Sequence, residues 1–246
     1  KKNLTALLYV KKVILGVAFW VVVVTGVNAQ ISNNWCFGSA GYGWDFRTEP
    51  PSFFKTAMHA AGGTQAVSDS LGNLLFYTDG DTVWTKNHQK MKGSFGSVDV
   101  KFISYTPTIS PSVVLPVPGK PGRYYVFLGG YPDPSFIPNV VPIVPLGYRE
   151  VDVNKNGGLG EVLDSSRRLL TTYNTYELAT VRHSNKKDFW LLARALDTIL
   201  VYSITNSGIN LAFKTFFDDP AKNVGRYYNS SGVSGGFKVV LSMVSV

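Results

Sequence analysis

Residues able to do chemistry are few in this chain and scattered along it. Asp79-Gly80-Asp81, with Asp69 and Asn73 close by, offers oxygens of the kind that hold calcium. A helix-loop-helix calcium loop needs acids at alternate positions, then a glycine and a distal glutamate; this stretch breaks that order after two. Acids in a hairpin turn explain it better, because Asp accepts hydrogen bonds from the backbone of its own turn. The histidines are His59, His88 and His183. His88 and His183 each follow an extended run, where an imidazole bonds across neighbouring strands. As metal ligands they would need a third partner, and only His59 remains. With neither a cysteine cluster nor a His-x-His spacing, no metal and no other cofactor is expected.

Other candidate motifs fail on context. Gly232-Val-Ser234-Gly-Gly236 has the form of a nucleophile elbow, which needs a following helix and a later Asp and His. The ten residues from Phe237 contain neither. Gly157-Gly-Leu-Gly160 opens no helix and cradles no nucleotide. Paired carboxylates for glycoside hydrolysis could be drawn from sixteen acids, and nothing singles out a pair. Tyr42, Trp44, Tyr131 and Phe136 are the candidate surface-binding residues, since such rings stack on sugars; packing in a core or between blades is the commoner job for most aromatics. No catalytic residue is assigned.

The elements that must position these residues are strands. Ser68 to His88 reads as strand, tight turn, strand: Leu74-Leu75-Phe76-Tyr77 is a compact apolar run, Asp79-Gly80-Asp81 a hairpin signal, and Thr82-Val83-Trp84 resumes the extended pattern. The same unit recurs as Arg123 to Leu128 followed by Tyr148 to Val153, and as Asp188 to Leu192 followed by Thr198 to Ile204. The centres near Phe76, Val126 and Trp190 lie 50 and 64 residues apart, spacings that suit four-stranded blades with insertions. Ahead of them, Asn33 to Gly38 suggests a short strand and Gly41 to Phe46 a turn into another. Arg47 to Pro51 breaks the chain, Phe53 to Ala61 is a weak helix candidate, and Gln65 to Ser68 is an inner strand. Ser112 to Val117 is a further inner strand with an edge proline. Gly129 to Gly147, with five prolines, is expected to be an exposed irregular loop. Lys92 to Tyr105 connects repeats, and Asn154 to Gly160 is a glycine turn. Arg168 to Leu170 and Leu178 to His183 begin the third repeat, Ser184 to Lys187 turns its hairpin, and Phe213 to Phe217 is its outer strand. The fold class is therefore all-β: a partial β-propeller of four-stranded antiparallel blades, three to four present.

These strings also carry a resemblance. SDSLGNLLFYTDGDTVWTKNHQKM resembles the recurring ISDxxGNLLFYTDGxxVWNxNHxxM segment of the N-terminal propeller regions of large bacterial surface proteins. Members of that family leave the cell by the type IX pathway and often continue into PKD-like and gliding-motility-associated C-terminal domains. Asn34 to Ser39 is similar to the family's NNWYFG opening, Tyr148 to Val162 to its YSxVDMxxNGGLGDV, and Glu177 to Trp190 to its KLTAVKHANGxDYW. The likeness covers about Asn33 to Gly208. Past it, Gly225 to Val240 is at best a decayed form of the family's next strand pair, and no sorting domain follows. The resemblance implies a non-catalytic secreted or cell-surface module presenting loops for adhesion or partner binding, with the export machinery engaged through a C-terminal region absent here.

Composition sets the remaining bounds. Residues 1 to 29 carry Lys1, Lys2, Lys11 and Lys12, the apolar run Val13 to Val24, and Val27-Asn28-Ala29. This reads as a signal peptide helix cleaved after Ala29, because twelve apolar residues fall short of the roughly 20 that span a bilayer. Residues 30–246 then form the exported propeller domain, touching membrane only through an uncleaved leader. Of the 24 basic residues four lie in that leader, so a net charge of +8 shrinks to an ordinary surplus and nucleic acid is not an expected partner. Cys36, the one cysteine, is expected to be a buried apolar side chain beside Trp35 and Phe37. Two other functions stay open: a propeller enzyme acting on extracellular polysaccharide, and a truncated gene product without a role of its own. A chain that stops near a fourth blade and lacks an initiator Met also reads as a fragment.

Overall fold

The structure, a computed structural model, describes residues 33–37, 40–59, 63–94, 112–130, 145–163, 168–175, 177–195 and 197–216. The expected leader, residues 1–29, lies outside them, as do Tyr131, Phe136 and the serine motif at 232–236. Among these residues, apart from one 3-10 turn at Asn156–Gly158, every element is a β-strand.

Four antiparallel sheets follow one another along the chain. Sheet I joins β1 (Asn34–Phe37), β2 (Tyr42–Asp45) and β3 (Ser52–Lys55). Sheet II joins β4 (Gln65–Ser68), β5 (Leu74–Thr78) and β6 (Val83–Thr85). Sheet III runs β7 (Ser112–Pro116), β8 (Arg123–Leu128) and β9 (Pro145–Asp152), whose far edge is shared by β10 (Glu161–Val162) and β11 (Arg168–Asn174). Sheet IV runs β12 (Glu177–Arg182), β13 (Phe189–Ala195), β14 (Thr198–Thr205) and β15 (Gly208–Phe216). The first strands touch in series, β1 against β4, β4 against β7 and β7 against β12. The three recurring hairpin strands are thus the second strands of three separate sheets. The chain is all-β, with sheets of three to five strands, and a closed propeller is not shown.

The sequence explains the stacking. A strand that buries both faces needs a continuous apolar run, whereas one buried on a single face alternates. In β5, Phe76 points to a cluster with Val126, Val151 and Val162 of sheet III, and its neighbour Tyr77 points to one with Cys36 of sheet I. In β8, Val126 faces sheet II while Tyr125 and Phe127 face Leu191, Leu200, Tyr202 and Ile204 of sheet IV. By contrast β1 alternates buried and exposed along Asn34–Phe37.

Polar contacts fasten the same interfaces. The buried Asn34 amide donates to Ser68 Oγ at 3.0 Å and to the Gly72 carbonyl at 2.7 Å. Arg149, buried on β9, donates through Nη1 to the Asp81 carbonyl at 2.5 Å. Tyr202 reaches the Leu170 carbonyl at 3.3 Å.

Several expectations need correction. Ser52–Lys55 is a strand rather than a helix, because Ser-Phe-Phe-Lys pairs in register with Tyr42–Asp45. Pro145, Leu146 and Gly147 do not belong to an irregular loop: they open β9, Gly147 opposite Leu128, with Leu146 fully buried. A proline opening a strand sacrifices no ladder bond that a neighbour needs. Residues 131–144 of that loop lie outside the described residues. Arg168 to Leu170 does not start a new repeat; it pairs with Tyr148 and Gly147 and completes sheet III. The outer strand of sheet IV starts at Gly208, earlier than its apolar residues suggest. Cys36 is buried, but against Met58, Tyr77 and Trp84; Trp35 and Phe37 point the other way, as alternation requires.

Candidate functional site: the aromatic face of sheet I

Pairing in sheet I places Trp35 opposite Trp44 and Trp44 opposite Phe53, and Phe37 opposite Tyr42. Residues directly across an antiparallel ladder share a face, as do residues two apart on one strand. One face therefore carries Trp35, Phe37, Tyr42, Trp44 and Phe53, and Phe46 folds back onto Trp35 at 5.1 Å between ring centroids. Small residues fix the direction. Cys36 and Gly43 lie between these aromatics and turn inward, and Gly43 leaves room for the Phe54 ring, which a Cβ there would meet at 2.4 Å. Phe54 then stacks on His88.

The aromatic face is open to solvent: Trp35 is 58% exposed and Phe53 54%. Its rings interlock, Trp44 against Phe53 at 66° and Trp35 against Phe46 at 61°, both edge to face. A flat sugar platform needs coplanar rings and polar groups aimed at hydroxyls. Edge-to-face rings are how apolar cores pack. Lys55, opposite Tyr42, is an exposed cation at one end of the face, whereas Arg47 beside the face donates to both Asp45 oxygens and, through Nη1, to Asn73 at 2.6 Å. Those guanidinium bonds hold the Asp45 carboxyl below its ordinary range.

Elsewhere the chemistry-bearing residues are tied into turns and pairs. Asp79 Oδ1 accepts the N–H of Asp81 at 3.0 Å and of Thr82 at 2.7 Å, and burial raises its carboxyl above the usual value. Asp69 accepts the N–H of Leu71 and Asn73. Glu150 and Asp152, two apart on β9, both bind Arg123, at 3.0 and 3.3 Å. Among the described residues no group of three His, Cys, Asp or Glu gathers as a metal would need. His88 meets the Tyr77 hydroxyl at 3.2 Å across sheet II, with its proton affinity lowered by burial. His183 Nδ1 accepts the Asn185 N–H within its own turn.

Of the four aromatics singled out by sequence, Tyr42 and Trp44 lie together on this face, in a strand rather than a loop; Tyr131 and Phe136 are outside the described residues. Trp35, Phe37, Phe46 and Phe53 were missed. The signal was there, in aromatics alternating with Cys36 and Gly43. No family model matches this chain, and neither a curated protein nor a solved structure matches it.

Proposed function

We propose that the chain is a non-catalytic secreted or cell-surface module of propeller type that binds a partner, with the aromatic face of sheet I as the recognition surface. The carrying observation is that face, six aromatics wide and open to solvent, with the exposed Lys55 at its end opposite Tyr42. Contiguous apolar patches of this size on a soluble domain mark interaction sites. The serial contact of first strands and the resemblance of Ser68 to His88 to type IX-exported surface proteins support the propeller and the surface location. The edge-to-face rings favour a protein partner over a glycan.

The rival, an enzyme acting on extracellular polysaccharide, draws on the raised carboxyl of Asp79. Its Oδ1 already serves two N–H groups, which favours the turn role. The test places a benzoylphenylalanine photocrosslinker at Trp44 and, as control, at the exposed turn residue Asn185, in the presence of cell-surface extract. A discrete protein adduct at 44 and not at 185 is expected. Adducts at 185 alone overturn the recognition face, and release of reducing ends from a polysaccharide overturns the non-catalytic reading.

A further inference from the structure

Sheet I has a counterpart at the far end of the stack. In sheet IV, Leu191, Ala193, Leu200, Tyr202 and Ile204 turn toward sheet III. The alternate residues turn away, and pairing aligns Ala179, Leu192, Val201 and Phe213 as one apolar row across all four strands. Val181 and Trp190 pair beside it. Val181 and Phe213 are exposed, Leu192 is half-buried, and Val201 is buried among them. Among the described residues the charges on that face are Glu177 and Arg194, joined to each other at 3.1 Å.

We propose that a second copy of this chain docks head to tail, its sheet IV outer face against the aromatic face of sheet I. This rests on the reading of sheet I as a recognition surface. Three observations carry it. Both faces are the reverse sides of sheets whose other sides already form stacked interfaces, so the contact continues an established series. The two faces match in character, aromatic against aliphatic and aromatic, with Arg47 paired to Asp45 beside the first, Arg194 paired to Glu177 on the second, and Lys55 at the end of the first. Their size fixes the strength. At about 150–250 Å² per buried aromatic side chain, the exposed fractions of Trp35, Phe37, Trp44, Phe46 and Phe53 amount to roughly 350–600 Å². A standard interface buries about 800 Å² per partner, so the association is weak and concentration-dependent. Because the two surfaces differ, the contact is heterologous and adds copies in rows or rings instead of closing as a two-fold dimer.

Sedimentation velocity from micromolar to millimolar concentration tests this. The wild-type sedimentation coefficient should climb with concentration. A sheet I variant (Trp44→Ser with Phe53→Ser) and a sheet IV variant (Val181→Asp with Phe213→Asp) should each weaken self-association by roughly tenfold or more. Mixed together, they should form a 1:1 dimer and nothing larger, because each retains the surface the other lacks. Circular dichroism establishes that each variant is folded, and Trp35→Lys substitutes on sheet I if the double variant is not. A wild type that stays monomeric, a variant that self-associates alone, or a mixture that does not pair overturns the proposal. Crosslinking at Trp44 to a foreign protein, with a monomeric wild type, would overturn head-to-tail docking alone and leave the recognition face standing.

Discussion

Arg149 and Cys36 are the two residues whose burial makes the strongest single-site claims. Arg149 is held between sheets II and III with its Nε unpartnered and Nη1 on the Asp81 carbonyl. Removing one partner of a buried charged contact strands the other, so Arg149→Ala should lower stability by roughly 2–4 kcal/mol. Arg149→Met should lose less, because it keeps the packed stem and removes the orphaned donor; urea unfolding of the two variants measures the difference. Burial pushes the Cys36 thiol up to about 12. The folded state therefore favours the protonated thiol, and the stability this gives is present below the ordinary thiol value and is lost as pH rises toward 12. A thiol reagent should leave folded protein unlabelled at neutral pH and label it fully in urea. Cys36→Ser should flatten part of the alkaline fall in stability, and a native thiol that labels as fast as the unfolded one would contradict the packing of sheet I.

At the scale of the element, turns do the connecting work. The Asp79 turn of sheet II is inserted against sheet III: Gly80 has φ 93°, and a Cβ there would meet Leu128 at 2.6 Å and Ser112 at 2.8 Å. Gly80→Ala should cost about 2–3 kcal/mol, strain and overpacking together. Gly157 also has a positive φ, 65°, but open space around it, so Gly157→Ala should cost only about 1 kcal/mol. Equal thermal shifts for the two would show that the turn is not wedged between sheets. Such turns were legible in sequence because Asp-Gly-Asp and Asn-Gly-Gly encode them locally. So were β5 and β8, whose apolar runs announce burial on both faces, and β13, whose Phe-Trp-Leu-Leu run marks a strand but not the single face it buries. Three things were not. Ser52–Lys55 is fixed by pairing with β2, a non-local contact that no local propensity reports. Pro145 to Gly147 looked like loop because proline density hides a strand start. Arg168–Asn174 is assigned to sheet III only by its partner β9. The candidate site was half legible, since Tyr42 and Trp44 stand out as aromatics in a glycine-rich stretch, while their companions needed the register to be placed beside them.

Among the described residues the molecule is a series of sheets in which II and III are covered on both sides and I and IV on one. Protection from hydrogen exchange should follow that order, highest in β5 and β8 and lower in β1 to β3 by a few kcal/mol of opening free energy. Uniform protection across the sheets would mean that the stack opens as one unit.

Sheets I, II and IV are meanders of strands consecutive in the chain, and this has a mechanical consequence. Tension applied between Asn34 and Phe216 would not have to break every sheet at once. Sheet IV, ending in the edge strand β15, can be unzipped one ladder at a time while the Phe76 and Val126 cluster between sheets II and III stays closed. Released from residues 177–216, the chain would lengthen by a step of about 130 Å. A protein strung from such units would yield in increments under load and lengthen before it let go.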